Sequence, residues 1–125
     1  MNQYTHAIYY YQQATTHRPD DSRMWVALAA VYVKNSDSGN GLKAYNRALK
    51  LMDDGDDNLG HVLYSLGDLY TDVDDERTVY FYSCAVAVDS NVNEKSRACL
   101  WLERYYHEQG DREKERIWRA ELDGF

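Results

Sequence analysis

The chain has 125 residues, 44% apolar and 28% charged, with one proline and seven glycines, which suits a single domain and excludes a disordered segment or a loop-rich sandwich. Lys and Arg total 14 against 21 Asp and Glu, a formal charge of -7; such a surface repels phosphate backbones and anionic lipid, so basic peptide segments, not nucleic acid or membrane, are the expected partners. No apolar run is long enough to span a membrane and Met1–Tyr11 lacks a basic start followed by an apolar stretch, so a soluble, intracellular protein of the nucleus or cytoplasm is expected.

In chain order, helical periodicity and turn residues predict helices near 3–17, 22–34, 40–52, 58–71, 76–88, 94–108 and 112–122, joined by short polar turns. The first carries Tyr11 three residues before Ala14. Pro19 then stops it, and Asp21 or Ser22 supplies a side-chain oxygen to cap the second helix. Trp25, Leu28, Ala29 and Tyr32 share one face of that second helix. On the third helix Tyr45 precedes Ala48 by three residues, as Tyr11 precedes Ala14, and Ala14 to Ala48 is 34 residues.

The run Asp53-Asp54-Gly55-Asp56-Asp57-Asn58 invites a calcium reading, but a calcium loop needs a bidentate Glu at its twelfth place, where Tyr64 stands. It reads as an acidic turn. Leu63, Leu66, Gly67 and Tyr70 then repeat the face of the second helix, and Tyr82 and Ala85 repeat the pair on the third, with Ala48 to Ala85 spanning 37 residues. Between them Asp72, Asp74, Asp75 and Glu76 form a second acidic turn in which Asp74 or Asp75 can cap a helix. Cys99, Leu102 and Tyr106 keep the register a third time, although Glu103 stands where a small residue is wanted, and Gly110-Asp111 supplies the turn into the last helix.

Small residues at 29, 48, 67 and 85 set how closely helices approach, and aromatic rings fill the gaps. The expected core is Trp25, Leu28, Tyr32, Tyr45, Ala48, Leu63, Leu66, Gly67, Tyr70, Tyr82 and Ala85. The period and pattern resemble the tetratricopeptide repeat. That resemblance implies an all-α fold: a right-handed solenoid of about seven helices in antiparallel pairs. As one domain over 1–125 it divides into the second half of a repeat (1–21), repeats at 22–55 and 56–92, and a divergent final repeat at 93–125. Beginning halfway through a repeat, it reads as a piece of a longer solenoid. Its first helix then presents an association face at Ile8 and Tyr11 to a preceding repeat or to a second copy.

One stretch is more particular than the repeat requires. Ile8-Tyr9-Tyr10-Tyr11-Gln12-Gln13-Ala14, followed by Arg18-Pro19-Asp20-Asp21-Ser22-Arg23-Met24-Trp25-Val26-Ala27-Leu28, resembles the C-terminal repeat array of the subunit-8 (cell-division-cycle 23) type of the anaphase-promoting complex. Ser96-Arg97-Ala98-Cys99-Leu100-Trp101-Leu102 with Tyr105-Tyr106 is a looser echo; Ala29-Ala30 stands where that family has Gly-Glu. The resemblance implies a non-catalytic scaffold in a multisubunit ubiquitin ligase of cell-cycle control, with other repeat or activator subunits as partners.

His6, His17, His61 and His107 lack the paired spacing of a zinc site, Cys84 and Cys99 lack a CxxC spacing, and neither a nucleophile elbow nor a phosphate-binding glycine loop is present. No enzyme, metal or cofactor is expected. Both thiols read as reduced and half-buried. The tyrosine clusters Tyr9–Tyr11 and Tyr105-Tyr106 read as packing residues, since interleaved Lys and Arg for base stacking are missing. On the repeat frame the inner wall includes Arg23, Val26, Ala30 and Lys34, then Tyr64, Ser65, Asp68 and Asp72, then Arg97, Leu100, Trp101, Arg104 and His107. Of these, Tyr64, Asp68, Asp72, Trp101 and Arg104 are the candidate partner-binding groove, suited to an extended segment with a basic and an apolar side chain. A co-chaperone-like adaptor is the alternative. Its carboxylate clamp needs Lys and Asn where this chain has Val26 and Ala30, or Tyr64 and Asp68 one repeat later.

Overall fold

The computed structural model describes residues 3–88 and 91–124. Among them the chain forms seven helices and no strand: α1 (Gln3–His17), α2 (Ser22–Lys34), α3 (Ser38–Leu51), α4 (Leu59–Tyr70), α5 (Asp75–Ala87), α6 (Val92–Glu108) and α7 (Arg112–Asp123). The fold is all-α, as the periodicity predicts. It comprises two compact units, Met1–Gly55 with α1 to α3 and Asp56–Phe125 with α4 to α7.

Local chemistry fixes the hairpins. In α2/α3, α4/α5 and α6/α7 an aspartate caps the second helix: Asp37, Asp74 and Asp111, spaced 37 residues apart. Each accepts from the backbone N–H three residues on, at Asn40, Arg77 and Lys114, over 3.1–3.2 Å. That bond satisfies one of the donors a helix start leaves open. The preceding helix is closed through a tyrosine, since Tyr32, Tyr70 and Tyr106 offer their carbonyls to the N–H groups of the capping Asp37, Asp74 and Asp111 at 2.8–3.0 Å. Each turn contains a residue with left-handed backbone: Ser36 (φ 62°), Asp72 (φ 64°) and Gly110 (φ 75°). Turns this short force the paired helices antiparallel.

Unit 1 packs α2 between α1 and α3. Ala29 is fully buried, and Leu28, Ala44, Tyr45 and Ala48 are buried with it. Two expected core rings are only half-buried because their polar atoms keep partners: Trp25 Nε1 donates to the Pro19 carbonyl at 2.9 Å, and Tyr32 Oη accepts from Gln12 Nε2 at 2.8 Å. Asp21, not Ser22, caps α2, accepting from the Arg23 N–H at 3.1 Å while the Arg23 side chain grips both its oxygens. That guanidinium holds the Asp21 carboxyl below its ordinary pKa.

Unit 2 packs α4 with α5, α5 with α6, and α6 with α7. Leu63, Leu66, Gly67, Tyr82 and Ala85 are buried as expected, and Val62, Ala98, Cys99 and Leu102 join them. Tyr70 is half-buried, its ring stacked on Phe81 (centroids 5.9 Å) beneath the Arg77 guanidinium. Glu103 resolves the missing small residue of the third hairpin: its carboxylate reaches across to the Arg119 guanidinium of α7 at 2.7 Å instead of facing apolar surface. Thr78 is fully buried, with Oγ1 within 3.2 Å of the carbonyls of Gly67 and Asp74.

Gly67 lies hard against Tyr82. A Cβ there would lie 2.5 Å from Tyr82 Cδ1 and 2.7 Å from Cε1. The Tyr82 ring is 3% exposed and has no room to retreat. Gly67→Ala should therefore destabilise the protein by about 1–3 kcal/mol through overpacking, read as an earlier midpoint in urea. Gly39→Ala, whose Cβ would meet only Asp37 Oδ1 at 3.9 Å, should leave the midpoint unchanged or raise it slightly. Equal midpoints for the two variants would contradict this packing.

Candidate functional site: an aromatic and acidic groove in unit 2

The residues singled out on the repeat frame converge in unit 2. Asp68, Asp72, Trp101 and Arg104 line one groove of about 460 Å³, together with Thr71, Asp75, Tyr82, Tyr105 and Glu108. Tyr64 is not on its wall. It lies behind the groove, stacked on Tyr82 with centroids 5.4 Å apart and planes 14° from parallel.

The floor is a chain of rings. Tyr82 meets Trp101 edge-on at 5.6 Å, and Trp101 stacks on Tyr105 at 5.2 Å with planes 9° apart. Helix geometry explains the second pair, because residues four apart share a face. The same rule places Arg104 and Glu108 beside them on α6. Thr71, Asp75, Tyr82, Tyr105 and Glu108 are groove residues that the repeat frame does not select. Trp101, Arg104, Tyr105 and Glu108 nevertheless form a visible i, i+3, i+4, i+7 stripe.

Electrostatics set the groove's preference. Four carboxylates, at Asp68, Asp72, Asp75 and Glu108, face one guanidinium, at Arg104. Tyr82 Oη donates to Asp68 Oδ1 at 3.3 Å. Burial first, and the Asp68 charge second, push the Tyr82 hydroxyl far above its ordinary pKa, so it remains a donor. Burial likewise raises Tyr64. Among the described residues Asp72, Asp75 and Glu108 form no ion pair, and Arg104 forms none either. A second, larger pocket of about 530 Å³ between α6 and α7 contains Arg119, Glu103, Glu115 and His107. Most of its charges already pair, Arg119 with Glu103 and Glu115, and His107 Nδ1 at 3.0 Å from Glu115 Oε1, leaving without an ion pair only Arg104, which with Trp101 borders both pockets. The acidic groove is therefore the better candidate for a partner.

The other candidate residues fall elsewhere. Ile8 and Tyr11 on α1 are half-buried, and the exposed rings of that helix are Tyr9 and Tyr10, each 66% exposed. His61 Nδ1 on α4 is 2.8 Å from Glu94 Oε2 on α6, a cross-helix pair that no helical spacing anticipates. Among the described residues no three His, Cys, Asp or Glu side chains are gathered as metal ligands. In the acidic run Asp53 and Asp56 turn their carboxylates onto the N–H groups of Gly55 and Asn58, at 3.0 and 2.9 Å. No described helix is long and apolar enough to cross a membrane.

Set against known proteins, the chain matches no family model, and no curated protein matches it. What the structure defines is a class: an all-α protein built from repeated helical hairpins.

The two thiols differ more than the sequence suggested. Cys84 is half-buried, but Cys99 is fully buried, and burial pushes its thiol up to about 11 from an ordinary 9.0. Iodoacetamide at neutral pH should label Cys84 and spare Cys99, read by mass spectrometry of the folded protein. The linked stability has a definite sign. Unfolded, Cys99 ionises near 9 while the folded form holds its proton to about 11, so stability present below pH 9 is lost as pH rises through that window. Denaturant midpoints at pH 8 and pH 10.5, compared with those of Cys99→Ala, would reveal an unchanged difference if this were wrong.

Proposed function

We propose that the chain is a non-catalytic, tetratricopeptide-type interaction scaffold, whose unit 2 groove seats an extended segment of a partner carrying a basic and an apolar side chain. The observation that carries the interaction reading is the groove itself: an aromatic floor of Tyr82, Trp101 and Tyr105 under a rim of four carboxylates and one arginine. Stacked rings offer apolar contact and cation-π attraction, and the carboxylates favour Lys or Arg. The same charge balance disfavours the acidic C-terminal peptides of a co-chaperone-like adaptor, whose clamp residues are also missing.

The particular assembly we propose is the anaphase-promoting complex, in which the chain would act in cell-cycle control and ubiquitin-dependent degradation, in the nucleus or cytoplasm. Support for this finer step is the Tyr-rich helix followed by Arg18-Pro19-Asp20-Asp21-Ser22-Arg23-Met24, with Leu100-Trp101-Leu102 as the second echo. Partners would be other repeat or activator subunits, with a second copy of the chain as a further possibility at Ile8 and Tyr11.

Purification of the tagged full-length protein from its own cells tests the assembly. Ubiquitin-ligase subunits should copurify, and recovery of chaperones without them would reject the scaffold assignment. Asp68→Lys with Asp72→Lys tests the groove. Exposed ion pairs contribute about 0.2–1 kcal/mol each, so the double reversal should weaken a groove-bound basic segment by roughly tenfold or more once repulsion is added. Undiminished assembly by this variant would reject the groove as the contact.

A further inference from the structure

The α6/α7 hairpin carries a concave surface whose charge is opposite to that of the acidic groove. A cleft of about 440 Å³ is lined by His107 and Gly110 from the end of α6 and its turn, and by Arg112, Glu115, Arg116 and Arg119 from α7. The four α7 residues stand at i, i+3, i+4 and i+7 and so share one helix face. Three guanidiniums and an imidazole therefore surround one carboxylate, in a chain whose formal charge is -7.

That carboxylate is already occupied. Glu115 lies 3.0 Å from His107 Nδ1 and accepts from Arg119 at 3.5 Å, while Arg119 also grips Glu103 at 2.7 Å. Arg112 and Arg116 have no such partner: among the described residues their exposed side chains take no ion pair, no hydrogen bond and no aromatic face. Lys114 between them is used by the fold, lying over the Tyr106 ring at 5.2 Å. The two arginines also work against their own helix, because like charges four residues apart repel and Arg112 opens α7 at the end that disfavours a cation.

A surplus of arginine narrows the class of anion. Guanidinium forks match oxyanions bidentately, and a phosphomonoester brings nearly two negative charges and three acceptor oxygens to one point. A long polyanion is disfavoured by position, since the neighbouring α6/α7 pocket shares Trp101 and Arg104 with the acidic groove, and a chain running past them meets Asp68, Asp72, Asp75 and Glu108. Beside the cleft, Leu100 is 53% exposed next to Trp101, an apolar ledge for a residue flanking the phosphate. We infer that the α6/α7 cleft binds a phosphoserine-bearing peptide segment, with Arg112, Arg116 and Arg119 on the phosphate and Leu100 and Trp101 against an apolar neighbour. This goes beyond the basic-segment reading and does not rest on it, since it uses a different pocket and the opposite charge.

The test titrates the full chain, by anisotropy at low salt, with a fluorescein-labelled peptide of glycine and leucine around one phosphoserine. Serine and glutamate versions of the peptide are the controls. The parent should bind the phosphopeptide most tightly, and added salt should weaken it. Arg112→Gln with Arg116→Gln should bind it roughly 5- to 20-fold more weakly, the range of two charge pairs to a dianion, and should melt no earlier than the parent. Lys43→Gln with Lys50→Gln, an equal change of net charge at exposed positions of unit 1, should bind as the parent does. Asp68→Lys with Asp72→Lys should bind the phosphopeptide no more weakly, so the two readings fail separately. Equal affinity for the serine or glutamate peptide, parent-like binding by the arginine variant, or an equal loss in the lysine variant would overturn the site. An earlier melt of the arginine variant would overturn it too, by assigning both side chains to the fold.

Discussion

The packing of unit 2 depends on one ring. Tyr82 fits because residue 67 has no side chain, and its hydroxyl is held at Asp68, the next residue along α4. Once seated, it is trapped between Tyr64, stacked on one face, and the edge contact with Trp101. Helices α4, α5 and α6 thereby share a single aromatic contact, and the groove floor is the wet side of the same core. A ring that is apolar at its body and polar at its tip suits such a boundary, because burial of the body does not strand the hydroxyl. Fold and candidate site are consequently not separable here: loosening the Gly67 contact would disturb the groove floor.

A second constraint acts on the chain locally and recurs. Asp37, Asp74 and Asp111 begin their helices with the same side-chain bond, and the tyrosine carbonyls before them close the preceding helices. At the second and third of these hairpins a cation from the new helix also lies over that tyrosine ring, Arg77 on Tyr70 at 5.3 Å and Lys114 on Tyr106 at 5.2 Å. Each capping bond contributes about 1 kcal/mol, so its value lies less in energy than in fixing where the chain reverses. The antiparallel packing of each pair follows from where it turns.

Much of this was legible in the residues. The spacing of Leu28, Ala29 and Tyr32, repeated by Leu66, Gly67 and Tyr70, located the packed faces, and Pro19 and Gly110 marked helix ends. Helix starts were less legible. Periodicity put the third helix at 40 and the sixth at 94, but capping by Asp37 and Asn91 starts them at Ser38 and Val92. In so acidic a chain the 37-residue recurrence of capping aspartates was hidden among aspartates that cap nothing. The groove was half legible. A repeat frame selected Asp68, Asp72, Trp101 and Arg104, while Tyr82 was assigned wholly to the core because periodicity cannot show that a buried ring also borders a cleft. Tyr105 and Glu108 followed from helix spacing on α6 but gained meaning only when α4 and α5 were packed beside them. No pattern in the sequence could pair His61 with Glu94, 33 residues away.

In our proposal the Tyr82–Trp101 floor and its carboxylate rim seat a cationic, partly apolar segment. The most direct measurement is fluorine NMR of the chain labelled at its three tryptophans, Trp25, Trp101 and Trp118, during addition of a peptide alternating arginine, glycine and leucine. Binding in the groove should give a saturable shift of the Trp101 resonance, weakened by added salt, while Trp25 stays fixed. Saturable binding that moves Trp25 and leaves Trp101 unperturbed would contradict it.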